Sequence, residues 1–177
     1  YADERIVVDT GSTDGTRALA KAAGAVVADF PWQDDFAAAR NAVLARITGD
    51  WAAVLDADES FFDPSELRTY FAMLDVVRPH VDAVLLPIVH VDEDAGNRET
   101  GRAPHVRLLR MGRGLYYEGR VHEALRKKDG ELKLHHEPTA LAIRHVGYSS
   151  GRIRAKHERN LALMERRIEE NGLQPGD

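Results

Sequence analysis

The sequence predicts an α/β fold with a mixed sheet flanked by helices. In the first half of the chain, short apolar runs typical of strands alternate with patterns typical of helices. One apolar run, residues 51–55, ends in two carboxylates, Asp56 and Asp58. A buried strand that ends in polar side chains is typical of the edge at which a parallel sheet binds ligands. In the second half, strand patterns follow one another with only loops between them, which indicates antiparallel pairing.

The first half begins with strands and helices in alternation. Strands are predicted at residues 5–9, 25–28 and 51–55. A turn rich in glycine and hydroxyl side chains follows the first strand, and the helix after it ends near Ala23 because Gly24 suits the C′ position. A second helix is predicted at residues 36–48, where apolar side chains recur at helical spacing and Gly49 follows.

A third helix is predicted to begin with Asp63 as its N-cap and Pro64 as its first residue. The next strand, residues 83–91, contains Pro87, which argues for an edge strand or a bulge because proline cannot donate to a sheet ladder. The remaining predicted elements are a polar loop at 92–103, strands at 105–110, 132–134 and 140–146, and a helix at 152–171.

Length and composition exclude several classes of protein. A chain of 177 residues suits one domain, residues 1–177, with a real core. No apolar run approaches the roughly 18 residues of a membrane span, and no secretory signal is visible. The chain has no cysteine, which excludes disulfides and thiolate metal sites and fits a cytoplasmic protein. A net charge of −5 gives no reason to expect nucleic acid as a partner.

The carboxylate pair suggests a divalent cation. Asp56 and Asp58 repel each other unless a cation lies with them, and Mg²⁺ or Mn²⁺ held by one or two carboxylates usually completes its shell with phosphate oxygens. An EF-hand loop is unlikely because its sixth position would be Phe61 rather than glycine. Two other interpretations stay open, a solvated turn and a phosphatase in which Asp56 is the nucleophile and Asp58 the acid or base.

Five segments in order resemble family 2 glycosyltransferases of the GT-A fold. The similarity is strongest to a bacterial subgroup in which the catalytic domain often precedes tetratricopeptide repeats. The segments are Val7 to Thr16, Asp34 to Asn41, Gly49 to Glu59, Tyr117 to Glu123 and His145 to Tyr148. Family members normally begin with one more strand and helix, so we expect a chain truncated at its N-terminus, whose helix 152–171 leads towards repeats that this sequence lacks.

The resemblance implies an inverting transferase that uses a nucleotide-diphospho-sugar, usually a UDP-sugar, with Mg²⁺ or Mn²⁺. It implies that Asp58, Asp56 and His145 contact the metal and that Asp56 also touches ribose. It further implies contacts to the donor nucleotide from Asp9, Arg40, Asp56 and Arg120. Simpler interpretations remain for three of these residues: Asp9 bracing its turn, Arg40 on the surface, and His145 as an ordinary hydrogen-bonded histidine.

An inverting transferase also needs a base for the proton of the acceptor. The resemblance favours Glu123, with His122 sharing or supporting that role, and Glu118 is the alternative. The acceptor is a saccharide, a lipid, a peptide or a protein. Two other functions are weighed against this one: a non-catalytic module that binds a nucleotide sugar, and the Asp-nucleophile phosphohydrolase.

Overall fold

The computed structural model describes residues 2–137 and 141–147, and within these ranges it contains ten strands and three helices. The strands are β1 (Ile6–Asp9), β2 (Val26–Asp29), β3 (Trp51–Ala53), β4 (Glu59–Phe61), β5 (Ala83–Asp92), β6 (Arg98–Arg110), β7 (Leu115–Glu118), β8 (Ala124–Lys127), β9 (Leu134–His136) and β10 (Ile143–His145). The helices are α1 (Thr16–Ala22), α2 (Phe36–Leu44) and α3 (Leu67–Val77).

Six strands form one mixed sheet around β5. Strand β5 pairs antiparallel with β6 along one edge and parallel with β9 and β10 along the other. The outer strands are antiparallel, β3 against β6 and β4 against β10. The predicted α/β class with a mixed sheet is therefore confirmed, and the architecture is consistent with the GT-A fold that the resemblance implies.

Helices cover both faces of this sheet. Neighbouring residues Leu108 and Leu109 of β6 point to opposite faces, as successive strand residues must. Leu108 packs in a cluster with Leu74 of α3, whereas Leu109 packs in a second cluster with Leu44 of α2. All four side chains are buried. The predicted flanking of the sheet by helices is thus confirmed.

Two smaller sheets lie outside the main one. Strands β1 and β2 pair in parallel, and α1 forms the connection between them. As expected, α1 is followed by Gly24, whose φ of 79° suits a C′ residue. Strands β7 and β8 form an antiparallel pair. The Asn41 side chain fixes α2 to β7 because it donates to the carbonyl of Tyr117 and accepts from the Tyr117 N–H.

Two helix boundaries differ from the predictions. Helix α2 ends at Leu44 rather than Thr48, because the N–H groups of Arg46 and Ile47 bond to carbonyls three residues back, as in a 3₁₀ turn. Helix α3 begins at Leu67, so the predicted capping role of Asp63 is wrong. The Asp63 carboxylate instead accepts from the N–H of Ser65 at 2.8 Å, forming a separate turn before the helix.

The predicted polar loop at 92–103 is also wrong over most of its length. Strand β6 begins at Arg98, opposite Asp92, so the connection is confined to residues 93–97. Pairing with the apolar strand β5 places these polar residues in the sheet despite their composition. The strand predicted at 132–134 is displaced by two residues and is found as β9, whereas β10 lies within the strand predicted at 140–146, of which residue 140 is not described. The helix predicted at 152–171 lies outside the described residues.

Proline 87 does not mark an edge strand. Strand β5 has partners on both sides, and its two register shifts fall at Val84/Leu85 and His90/Val91. Along one side, however, β9 pairs only as far as Leu85 and β10 begins at Ile88. On this side of β5, Pro87 therefore lies in the gap between the end of β9 and the start of β10, where no partner strand needs an N–H from it.

A buried ion pair ties the start of β5 to its neighbours. The Asp82 side chain is fully buried and accepts hydrogen bonds from Lys127 Nζ at 2.8 and 3.0 Å and from the Lys133 N–H at 2.9 Å. Burial alone would raise the pKa of Asp82, but the bonds from Lys127 and Lys133 outweigh it and hold this pKa below its ordinary value.

We expect Asp82→Asn to lower the free energy of unfolding at neutral pH by roughly 3 kcal/mol, because it leaves Lys127 without its charged partner. Since the folded pKa of Asp82 is lowered, its stabilising effect is present above the unfolded value of 3.8 and is lost as the pH falls through the folded value. The difference between the two proteins should therefore shrink in acid. Urea denaturation at several pH values measures it, with the exposed Asp129→Asn as control; equal stabilities at neutral pH would contradict the expectation.

Candidate functional site

Asp56 and Asp58 lie in the turn between β3 and β4, and they make different contacts. The Glu59 N–H donates to the carbonyl of Asp56 at 3.0 Å, which closes the turn. The Asp56 carboxylate contacts two arginines, whereas Asp58 Oδ2 lies 3.2 Å from Nε2 of His145. The predicted pair therefore lies together, but each carboxylate has its own set of partners.

Asp56 lies in the middle of a row of five alternating charges, which we call the ion-pair chain: Glu59, Arg107, Asp56, Arg40 and Glu123. Arg107 donates to Glu59 at 2.7 and 2.8 Å and to Asp56 at 3.2 Å. Arg40 donates to Asp56 at 2.7 and 3.0 Å and, through Nε, to Glu123 at 2.6 Å. The chain joins the acidic turn to the segment that carries the predicted base.

Arg107 reaches the chain because it is the extra residue of a β-bulge. Leu108 faces Val84 across the sheet and Val106 faces Leu85, so Arg107 has no residue opposite it on β5. A bulge of this kind re-aims the side chain of the extra residue. The carbonyl of Arg107 accepts from the Val54 N–H at 2.8 Å, just beyond the last residue of β3, and this bond fixes the acidic turn beside the bulge.

Arg40 is positioned by contacts at the start and in the middle of helix α2. At the first turn, Asp35 caps the helix by accepting from the Ala38 N–H at 2.8 Å, and the Phe36 N–H donates to the carbonyl of Arg120 at 3.0 Å. One turn later, the Asn41 side chain exchanges two bonds of 2.8 Å with the backbone of Tyr117. These contacts hold the guanidinium of Arg40 next to both the acidic turn and the segment that follows β7.

The Arg40 guanidinium is largely buried, and its charge is compensated locally. Burial by itself would lower the pKa of Arg40, but the carboxylates of Asp56 and Glu123 more than offset this and raise it. The ring of Tyr117 lies 5.4 Å from the guanidinium carbon and adds a cation–π contact. Arg40 is therefore not the solvated surface residue that the sequence left open.

The three candidates for the base occupy different environments. Glu123 is largely buried and bonds to Arg40, whereas Glu118 is 62% exposed and pairs with Arg126 on the surface. His122 is exposed and has a φ of 57°, an uncommon value for a residue other than glycine and one that marks local strain. The structure thus brings Glu123, but not Glu118, into contact with the predicted nucleotide-binding residues.

The segment between β7 and β8 also contains Arg120. Gly119 precedes it with a φ of 102°, a conformation that L side chains rarely adopt, so this glycine permits the turn into the segment. The Arg120 side chain is exposed, and its carbonyl is the acceptor that anchors α2. A role for Arg120 in nucleotide binding stays a prediction.

Asp58 and His145 form the second part of the site. His145 is buried, and its Nδ1 lies 2.8 Å from Nδ1 of His90. Gly147 backs onto this pair so closely that a Cβ at this position would overlap the Asp58 carboxylate and crowd His145 Nε2. The close approach of the backbone explains the glycine and holds Asp58 beside the imidazole.

These residues fit a divalent cation only as part of its coordination shell. Asp58 and His145 offer one carboxylate and one imidazole, and in the described part of the chain no group of three or more His, Asp or Glu side chains is arranged to hold a metal alone. Mg²⁺ is commonly held in this way, by one or two protein ligands together with substrate phosphates and water. Asp56, predicted to touch the metal, has its oxygens directed at Arg40 and Arg107.

A cavity of about 180 Å³ lies beside the ion-pair chain. Its lining residues are Asp56, Glu59, Ile88, His90, His105, Arg107 and His145. Partial desolvation, together with the positive charge of Arg107, lowers the pKa of the His105 imidazole. The cavity is thus polar, with both acidic and basic groups directed into it.

Asp9 lies apart from the residues described above, at the end of β1. It is buried, and its carboxylate accepts from the Ser12 N–H at 3.2 and 3.3 Å and from Arg17 at 2.9 Å. Hydrogen bonds from Ser12 and Arg17 lower the pKa of Asp9. These contacts match the turn-bracing role that the sequence left open, and contact with a nucleotide base stays a prediction.

Sequence reasoning missed four residues of this site: Glu59, His90, His105 and Arg107. One signal was available for Arg107, because apolar residues at 106, 108 and 109 break the alternation expected of a regular strand and are compatible with a bulge. Glu59 directly follows the predicted pair and ends one of the five segments of the resemblance, but the resemblance assigns it no role. The two histidines are brought to the cavity only by the strand pairing.

Comparison with known proteins defines the class. The α/β fold with its mixed sheet agrees with the resemblance found in the sequence, and the family model for glycosyl transferase family 2 matches residues 1–146. The chain therefore belongs to glycosyl transferase family 2. In the described ranges, none of the helices is both long and apolar enough to cross a membrane.

Two curated relatives are similar over most of the chain. A TPR repeat-containing protein of Synechococcus elongatus is 36% identical over 166 residues, which cover 87% of this chain and 38% of that protein. The SPbeta prophage-derived glycosyltransferase SunS of Bacillus subtilis is 27% identical over 173 residues, which cover 92% of this chain and 38% of that protein. The chain thus spans well under half the length of these relatives.

A double-mutant cycle measures the buried half of the ion-pair chain. Glu59→Gln and Arg107→Met should each cost about 3 kcal/mol of unfolding free energy. Glu59→Gln removes the nearer carboxylate partner of the buried Arg107, and Arg107→Met removes the guanidinium that pairs with the buried Glu59. The double variant should cost less than the sum, with a coupling of about 1–3 kcal/mol. Urea denaturation gives the values.

The pair Glu118 and Arg126 is the matched control for this cycle. Its side chains are 62% and 56% exposed, against 2% and 9% for Glu59 and Arg107. Its coupling should stay below about 1 kcal/mol because water screens it. Equal coupling free energies for the two pairs would show that the buried ion pair contributes no more to stability than the exposed one.

Proposed function

We propose that this domain transfers a sugar from a UDP-sugar to an acceptor with inversion at the anomeric carbon, in a reaction that depends on Mg²⁺ or Mn²⁺. The observation that carries the proposal is the meeting of Asp56, Asp58, Arg40, Glu123 and His145 from four distant segments of a family 2 chain. Transfer from a nucleotide-diphospho-sugar needs positive groups and a cation for the diphosphate and a base for the proton of the acceptor. This cluster contains a candidate for each.

Donor binding rests on the two arginines and on the turns around them. Arg40 and Arg107 already compensate three carboxylates, and their remaining N–H donors suit phosphate oxygens, which guanidinium groups bind in a fixed geometry. Asp56 contacts the ribose, while Asp9 and Arg120 contact the nucleotide. The diphosphate lies between the arginines and the pair of Asp58 and His145.

Asp58 and His145 hold the cation, and Gly147 keeps them in place. When bound, Mg²⁺ or Mn²⁺ supplies a Lewis acid that offsets the charge developing on the departing diphosphate. The chain contributes one imidazole on β10 and one carboxylate in the turn immediately before β4, the antiparallel neighbour of β10, so the geometry of the site is set before the donor arrives.

Glu123 acts as the base and His122 supports the segment that carries it. A Glu123 oxygen takes the proton of the acceptor hydroxyl while the hydroxyl oxygen of the acceptor bonds to the anomeric carbon. The bond between this carbon and the diphosphate breaks on the opposite face, which inverts the configuration. Arg40 orients Glu123 through the bond of 2.6 Å, so the base is aligned by the same side chain that reaches towards the donor.

The acceptor class is a separate part of the proposal. Saccharides, lipids, peptides and proteins all present suitable hydroxyl groups. A peptide or protein acceptor is favoured by the Synechococcus relative, whose name includes TPR repeats, because helical repeats of this kind can present peptides. The family match favours glycosyl transfer over the phosphohydrolase alternative. The second experiment below distinguishes a transferase from a module that only binds nucleotide sugars.

The first experiment measures UDP binding by calorimetry with and without Mn²⁺. Asp58→Asn should weaken metal-dependent UDP binding about 10–100-fold, because it removes the only charged ligand proposed for the cation. Asp129→Asn, an exposed carboxylate in a distant turn, should bind as the unchanged protein does. Unaltered metal dependence in Asp58→Asn would remove the basis for the proposed cation site.

The second experiment compares Glu123→Gln with Glu118→Gln, using UDP release from UDP-sugars as the measure of turnover. Glu123→Gln should lower kcat at least 100-fold, because a general base contributes about that much, while UDP affinity stays within about threefold. Glu118→Gln should change neither quantity. A larger loss in Glu118→Gln would reverse the assignment, and UDP binding without turnover in the unchanged protein would support the binding module.

A further inference from the structure

Two histidines face each other across the central strands of the sheet. His90 of β5 and His145 of β10 are direct register partners, so their side chains leave the same face of the sheet. Their Nδ1 atoms are 2.8 Å apart, a hydrogen-bond distance, and the rings meet edge to face with centroids 5.0 Å apart. The pair is therefore a specific interaction between two strands that only the fold brings together.

Hydrogen-bond chemistry couples the tautomers of these two rings. A neutral imidazole carries one N–H donor and one acceptor nitrogen. Only one proton can lie between the two Nδ1 atoms, so one ring donates and the other accepts. When His145 donates through Nδ1, its Nε2 carries a lone pair, and this atom is the one directed at Asp58 at 3.2 Å. When His90 donates instead, His145 Nε2 carries the proton and cannot bind a cation.

We propose that His90 is a positioning residue that accepts the Nδ1 proton of His145 and so turns the Nε2 lone pair towards the cation. This inference rests on the proposed function, which assigns the cation to Asp58 and His145. A hydrogen bond to the second nitrogen is the usual device that fixes the tautomer and orientation of a metal-binding histidine. Here the acceptor comes from a neighbouring strand rather than from a carboxylate.

The surrounding strand β6 shapes the space for His90. Gly101 is its register partner, and a Cβ at 101 would come within 3.7 Å of the imidazole ring. The adjacent residue Thr100 is the extra residue of the second bulge, and its hydroxyl donates to the His90 carbonyl at 3.3 Å. These contacts fix the backbone and one side of the ring, which leaves Nδ1 directed at His145.

Two variants of His90 separate the hydrogen bond from the packing. His90→Phe keeps an aromatic ring but has no nitrogen, whereas His90→Asn keeps an acceptor oxygen close to the position of Nδ1. The tautomer of His145 is read from long-range ¹⁵N–¹H correlations of the imidazole, at a pH about two units above the ordinary histidine pKa of about 6.5 so that both rings are neutral. This measurement needs no metal and no donor.

Without metal or donor, the Nδ1–H form of His145 is expected in the unchanged protein and in His90→Asn. Under the same conditions, His90→Phe should shift His145 towards the Nε2–H form, whose proton can bond to Asp58. An identical His145 tautomer in the metal-free unchanged protein and in metal-free His90→Phe would overturn the inference.

Calorimetry with Mn²⁺ and UDP gives the second readout. His90→Phe should weaken metal-dependent binding about 10–100-fold, whereas His90→Asn should stay within about threefold of the unchanged protein. Equal binding by His90→Phe and the unchanged protein would also overturn the inference. UDP binding that does not depend on Mn²⁺ in any of the proteins, including the unchanged one, would instead refute the proposed cation site. In that case the tautomer spectra would still test whether His90 sets the tautomer of His145.

Discussion

Asp56 is the residue on which the geometry of the site depends, because two arginines from distant parts of the chain share its carboxylate. Arg40 comes from α2 and Arg107 from β6, and their side chains are only 13% and 9% exposed. Charges removed from water to this extent are tolerated only when they are paired and hydrogen-bonded. Each arginine also binds a second carboxylate, so the acidic turn, the helix and the segment after β7 are held in one arrangement.

This arrangement is possible only because the sheet is irregular beside it. In a regular ladder, Arg107 would face a residue of β5 and its side chain would alternate with those of Val106 and Leu108. The bulge removes that constraint and lets Leu108 and Leu109 enter the two cores while Arg107 is directed at the cavity. Stability and site geometry are therefore coupled at this point, since the same backbone irregularity serves both.

Sequence patterns predicted the α/β class, the early strands and the carboxylate pair, and the family resemblance supplied Arg40, Glu123 and His145. These features are local, or they belong to short motifs. The strand pairing is not local: Arg107 depends on a bulge, and His90 meets His145 only because β5 and β10 are neighbours. The loop predicted at 92–103 failed for the same reason, since pairing with an apolar strand overrides a polar composition.

The repulsion between Asp56 and Asp58 was the first argument for a cation. In the structure, the two carboxylates have different surroundings. Two guanidinium groups compensate Asp56, so this carboxylate needs no metal. Asp58 lies beside an imidazole, which carries a positive charge only when protonated. The proposed cation would therefore act on the side of the turn that faces His145, and not on the side that faces the arginines.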